Sequence, residues 1–283
     1  VVGGWFLTAF SAFAVSFLLA TGLFFTGMAG IIGFMAITLF VLLKTHSFYK
    51  KKTENAKKIA QEEELTSVNI IENCSETVKK IIIKISRLYY LSILNFVKEN
   101  RKSLHEVKKE TKELSQETKT LKINLPQIIR KLMEDEVESG HYYVQVLDYL
   151  REAANCMTYI INPLFYHVDN NHPPLSKEQA DELQQFNDKM SEFFNFSLNI
   201  LKNNKFEKYD ELVGKRANLI DETLTLKKNQ IKTLKKLRKG SKVSMLYLDI
   251  LTESKNMLLF ITNVIQAQRE FLEYENSHSG SKK

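Results

Sequence analysis

The lines LDYLREAANCMTYI (147–160) and LDILTESKNMLLFI (248–261) carry one pattern twice. Leu147, Asp148, Leu150, Glu152, Asn155, Met157, Tyr159 and Ile160 are answered by Leu248, Asp249, Leu251, Glu253, Asn256, Leu258, Phe260 and Ile261, an offset of 101, 248 minus 147. Within each line the apolar residues fall three and four apart, the period of a helix face. Working backwards, LNFVKEN (94–100) returns as LNILKNN (198–204) at an offset of 104, and ETKTLK (117–122) returns as ETLTLK (222–227) at an offset of 105. Three matches in one order define a duplicated unit. Breaks at 100–103, 135–140, 170–176, 203–205 and 240–241 predict six helices, at 56–99, 103–134, 138–168, 176–202, 206–238 and 242–275. Each unit therefore holds three. Ser103 with Glu106 and Ser176 with Gln179 have the spacing of capping boxes, and Gly240 suits a helix C-terminus. Short loops make neighbouring helices antiparallel, and no period-two alternation indicates a strand. The predicted fold is all-α, with two tandem three-helix bundles over 59–275 (repeats 59–168 and 176–275) and a disordered tail at 276–283.

Ahead of the duplication the chemistry changes. Residues 1–43 contain no Asp, Glu, Lys, Arg or His, so all 40 basic and 33 acidic side chains of this 283-residue chain follow Leu43. The mean hydropathy of −0.23 is a blend of two unlike parts. A straight helix over 1–43 would run to about 65 Å, against about 30 Å of hydrocarbon core. Two transmembrane helices, Val2 to Thr21 and Gly27 to Ser47, joined by a turn at Gly22 to Thr26, make the predicted hairpin of 1–49. Gly22, Gly27, Gly30 and Gly33 allow close helix contact, while Trp5, His46, Phe48 and Tyr49 suit the headgroup boundary. Lys44, Lys50, Lys51, Lys52, Lys57 and Lys58 follow, with 50–58 read as a basic juxtamembrane linker. Positive-inside places that end, and the charged remainder, in the cytoplasm. A signal peptide does not fit: there is no basic n-region and the apolar run is too long. The hairpin is either an anchor or the end of a larger bundle, and the Val-Val-Gly-Gly start fits the continuation of a longer chain.

Here a resemblance enters. Two consecutive three-helix units of this size resemble the PhoU fold, with 149–160 and 250–261 in the place of its third-helix motif. The stretch VVGGWFLTAFSAFAVSFLLA (1–20) is similar to the last core helix of the inorganic phosphate transporter (PiT) family, and FYHVDNNHPPLSKEQ (165–179) looks like the appended domain of its long bacterial members. The resemblance implies the C-terminal part of a phosphate permease of the plasma (inner) membrane, multi-pass. Its soluble PhoU-like domain would regulate ion-coupled phosphate symport, with Na+ or H+ as coupling ion. It implies phosphate, membrane lipid and an upstream permease core as partners, and a homo-oligomer. The substrate-binding signatures of the family are absent from this sequence and are expected upstream. The alternative is a membrane-anchored helical signalling or scaffold protein without transport.

PhoU-type proteins carry Glu/Asp-x-x-x-Asp on the third helix of each bundle, where carboxylates at i and i+4 collect metal ions. The aligned positions here hold Arg151 and Asn155, then Thr252 and Asn256. The ligands are replaced, so no metal site is expected. One register earlier Asp148 with Glu152 and Asp249 with Glu253 keep that spacing, as surface partners for Arg or Lys or as weak metal candidates. Asn155 and Asn256 suit either a buried amide fixing helix register or a polar site that senses a ligand. His167, Asp169 and His172 lack the spacing of a zinc loop. The basic run Lys227, Lys228, Lys232, Lys235, Lys236, Arg238 and Lys239 suits a helix C-terminus in solvent, or contact with anionic lipid. Nucleic acid is not an expected partner, since basic and acidic residues alternate without a stacking platform. An enzyme is not expected either: there is no Gly-rich phosphate loop or nucleophile elbow, and Cys74 and Cys156 have no His nearby in sequence.

Overall fold

The computed structural model of the chain describes residues 2–61, 67–133, 137–237 and 242–279. It divides into two compact units, 1–64 and 65–283.

The first unit is one helical run, α1 (Val2–Gln61), interrupted only at Gly27, where φ is 57° and ψ −140°. The expected turn at Gly22 to Thr26 is instead helix, and the Thr26 hydroxyl donates to the Gly22 carbonyl at 2.7 Å. The break falls on Gly27 because a residue without Cβ takes positive φ at little cost. Close approach is confined to Gly30, where a Cβ would stand 1.8 Å from Thr26 Oγ1; at Gly22 and Gly33 it would meet nothing. In place of two spans there is one apolar helical stretch long enough to cross a membrane, Thr8–Phe40. Its side chains face outward in every direction, as with Phe24 and Phe25 at 83% and 81% exposure. Helices apolar all round belong in lipid or in a large core. Thr21, Thr26 and Thr38 each return their hydroxyl to the carbonyl four residues back, satisfying it within the helix. The helical path continues through 50–58 to Gln61.

The second unit holds α2 (Ser67–Val97), α3 (Arg101–Met133), α4 (Val137–Asp169), α5 (Lys177–Asn203), a short 3-10 turn (Phe206–Lys208), α6 (Tyr209–Leu237) and α7 (Lys242–Ser279). Among its described residues there is no strand. The Ser176–Gln179 capping box forms in both directions. Ser103 lies inside α3, so the cap is Asn100, whose Oδ1 accepts from the Ser103 amide at 3.1 Å. Gly240 is outside the described residues. Glu99 and Asn204, 105 apart, end α2 and α5 in the left-handed region with φ of 50° and 51°.

The duplication is visible in the side chains. Lys84 pairs with Glu117 at 2.6 Å between α2 and α3, and Lys189 pairs with Glu222 at 2.8 Å between α5 and α6. Ser92 and Ser197, both buried, bond the carbonyl four residues back. The two halves do not stand as separate bundles, however. Helices α4 and α7 lie along each other at the centre, α2 packs on α5, and α3 and α6 flank α4 and α7. Tyr89 on α2 meets Phe194 on α5 at 5.9 Å between ring centroids, again residues 105 apart, and shares a hydrogen bond of 2.7 Å with Ser254 of α7. One continuous core results, running from Cys74 to Phe271.

Candidate functional site

The carboxylate pairs on the third helix of each repeat lie on α4 and α7, the two helices that meet at the centre. Spacing of four puts each pair on one helix face. Asp148 is half-buried and accepts from Lys122 Nζ at 2.7 Å. In the second half the counterpart lysine, Lys227, donates to Thr252 Oγ1 at 2.7 Å. Desolvation holds the Lys227 ammonium below the usual lysine range, Lys255 adds to this, and Asp249 and Glu253 oppose it. The lysine–carboxylate arrangement is thus repeated in kind, with the hydroxyl of Thr252 taking the place of a direct ion pair.

Asn155 and Asn256 are half-buried and each turns back on its own helix, donating to Glu152 at 3.1 Å and Glu253 at 3.4 Å. Neither is the fully enclosed amide that locks two helices in register. Their bonds instead orient the two glutamates at the α4–α7 seam, where both act on Cys156. That thiol is 2% exposed. Burial raises its pKa first, and Glu253, by charge and a hydrogen bond, and Glu152, by charge, raise it further. Sequence alone did not single out Cys156 as part of this group. The available signal was Glu152 four residues before it, on the same helix face.

Among the described residues no three His, Cys, Asp or Glu side chains come together as a metal cluster. The pairs Asp148/Glu152 and Asp249/Glu253 stay pairs, engaged by Lys122 and by the asparagines. His167 is buried, with Nε2 2.9 Å from the Pro173 carbonyl oxygen and its ring against Phe96 and His172. Asp169 pairs with Arg101. These three residues tie the α4–α5 connection to the start of α3. Of the basic run on α6, Lys228, Lys232 and Lys235 face solvent, while the side chains of Lys236, Arg238 and Lys239 lie outside the described residues.

Both cysteines are free and buried. Desolvation pushes the Cys74 thiol up to about 12. A raised pKa means the folded state holds the proton more tightly. The stability this contributes is complete below the ordinary thiol value of 9.0 and is lost as pH rises from there through about 12. Since the thiolate is the nucleophile, alkylation by iodoacetamide at pH 8.5 is expected to be at least ~100-fold slower in the native protein than in urea. Intact-mass spectrometry over time measures it, and prompt labelling of either thiol in the native state would contradict the burial.

Comparison with protein-family models, with curated proteins and with solved structures finds no match to this chain.

Proposed function

We propose that the chain is the membrane-attached regulatory portion of an inorganic phosphate permease, in which a PhoU-like helical unit adjusts an ion-coupled transport core. The observation that carries this reading is the doubled three-helix unit following the apolar stretch Thr8–Phe40 in one chain. The lysines at 44, 50–52 and 57–58 favour a cytoplasmic position for that unit by the positive-inside rule, where it would meet intracellular phosphate. The phosphate path itself belongs to a core encoded upstream. The α4–α7 seam supports a regulatory role, because a shift of one half against the other changes the surroundings of Glu152, Glu253 and Cys156 together.

Expression with the upstream segment in a strain lacking phosphate uptake tests the reading. The expected result is phosphate accumulation whose rate changes several-fold when 65–283 is deleted. Failure to accumulate phosphate removes the transport claim, and an unaltered rate after deletion removes the regulatory one. A second reading, a membrane-anchored scaffold without transport, is favoured by the single apolar stretch, because an anchor needs only one crossing. It predicts no phosphate uptake under any of these conditions.

A further inference from the structure

Helix α3 carries as many lysines as glutamates along its first half, and the fold sorts them. Glu110 and Glu117 turn to α2, where they pair with Arg87 and Lys84. His105, Lys108, Lys112, Ser115 and Lys119, spaced by three and four, fall on the stripe that borders α4. Between this stripe and Thr158 and Asn162 of α4 lies a groove of about 440 Å³. None of the residues lining it is acidic. Lys108 is held at one end by two rings, 4.3 Å from the Phe165 centroid and 4.0 Å from that of Tyr166. Lys109, Lys112 and Lys119 are exposed and have no ion-pair partner among the described residues. Thr111, 1% exposed, forms part of the wall, and its Oγ1 has no hydrogen-bond partner.

The second half of the molecule is an internal control. At the offset of 105 that relates Glu117 to Glu222, the positions of Lys108, Lys109, Lys112 and Lys119 hold Val213, Gly214, Ala217 and Leu224. The same helix in the same kind of bundle forms without those cations, so the scaffold does not require them. Three lysines on one stripe, Lys108, Lys112 and Lys119, with Lys109 beside them, repel one another without a carboxylate in the groove to offset them. Their retention on one half only points to a ligand.

We propose that the α3–α4 groove binds an anion carrying several linked phosphate groups. From Lys108 to Lys119 is eleven residues, about 16 Å of helix, which is more than one phosphate can engage. Ammonium groups act as point charges on phosphate oxygens, and Ser115, Thr158 and Asn162 add neutral polar groups beside them. The concavity suits a small soluble anion, whereas a lipid surface is flat. This inference stands apart from the transport reading, since it uses only α3 and α4.

Calorimetric titration of the full chain in nanodiscs with sodium tripolyphosphate tests it. Saturable binding is expected, weakened at least ~10-fold by Lys112→Glu with Lys119→Glu, because charge-assisted contacts become repulsive. Lys112→Gln with Lys119→Gln should weaken it less and keep the melting temperature, which guards against loss through misfolding. Lys228→Glu with Lys232→Glu on α6 makes the same change in net charge and should leave affinity within ~2-fold, a control for unspecific attraction. No saturable binding, or equal loss from the α6 variant, overturns the proposal. Nanodiscs of phosphatidylcholine and of phosphatidylglycerol separate the source of phosphate. Equal affinity in both supports a soluble ligand, and abolition by phosphatidylglycerol assigns the groove to lipid headgroups and overturns it.

Discussion

Leu150→Ala and Leu251→Ala are each expected to lower the stability of residues 65–283 by ~2–5 kcal/mol, and each within a single unfolding transition. The two leucines occupy the same place in the two repeats, on α4 and α7, and both are 0% exposed. Truncation leaves a cavity in a seam where neither helix can close it without parting from its own flanking helix, α3 or α6. The single transition is the sharper part of the expectation. Tandem bundles joined only by the 165–176 segment would melt separately, and each variant would shift one of two steps. In the structure α4 packs on α7 and α2 on α5, so each half supplies part of the other's interior. Cys74 of α2 lies 3.9 Å from the Gln268 amide oxygen of α7, and the amide nitrogen of that side chain donates to Ser75. Urea titration followed by circular dichroism decides the matter. Two resolved steps, with only one displaced by each variant, would refute the shared core.

The same contrast shows what was legible in the sequence. The helix expected over 56–99 begins instead at Ser67, with 56–61 continuing α1, but most other helix boundaries in the duplicated region were readable because they depend on local chemistry. The Ser176 cap, the Asn204 end and the three-and-four apolar spacing act over a few residues. The docking of one half on the other was not readable. It depends on which stripe of α2 meets α5, as with Tyr89 and Phe194, while other residues of α2 pack on α3, α4 and α7. At Ser103 a plausible local signal lost to another three residues earlier: Asn100, next to the left-handed Glu99, accepts from the Ser103 amide and caps α3. The break at Gly27 was misplaced for a similar reason. Gly22 and Gly27 are both glycines that could take positive φ, and only Gly27 does, while Gly22 keeps helical dihedrals.

The basic groove was hidden by averaging. Over 105–119 the lysines alternate with Glu106, Glu110, Glu113 and Glu117, so the segment resembles a solvated mixed-charge face. Only the packing separates them, sending Glu110 and Glu117 towards α2 and leaving Lys108, Lys112 and Lys119 beside α4. The carboxylate pairs met the opposite outcome. Asp148/Glu152 and Asp249/Glu253 stood out by spacing, yet the structure occupies them with Lys122 and with the two asparagines. Repetition in sequence marked what the fold needs twice, and the departure from repetition marked what it does not need.

The full chain is expected in the membrane fraction after a carbonate wash, and the chain beginning at residue 65 in the supernatant with its helical content intact. Thr8–Phe40 is 33 residues, about 50 Å as a straight helix, whereas a hydrocarbon core is about 30 Å. The portion up to Thr26 alone is about 28 Å, close to one crossing, and the Gly27 break frees the rest of α1 from continuing that line. Among the described residues of the first unit none covers these side chains, so in water the exposed Phe10, Phe13, Phe17, Phe24 and Phe25 form an apolar surface that must find lipid or another chain. Leu18→Arg near the middle of that crossing costs ~2.5–3.5 kcal/mol of insertion free energy, a shift of about two orders of magnitude in partition. It should therefore move much of the protein out of the carbonate-resistant pool, while Lys228→Glu on the second unit leaves the distribution unchanged. A full chain that stays in the supernatant would overturn the anchor. Retention of 65–283 on membranes after the wash would place the attachment in the helical bundle instead.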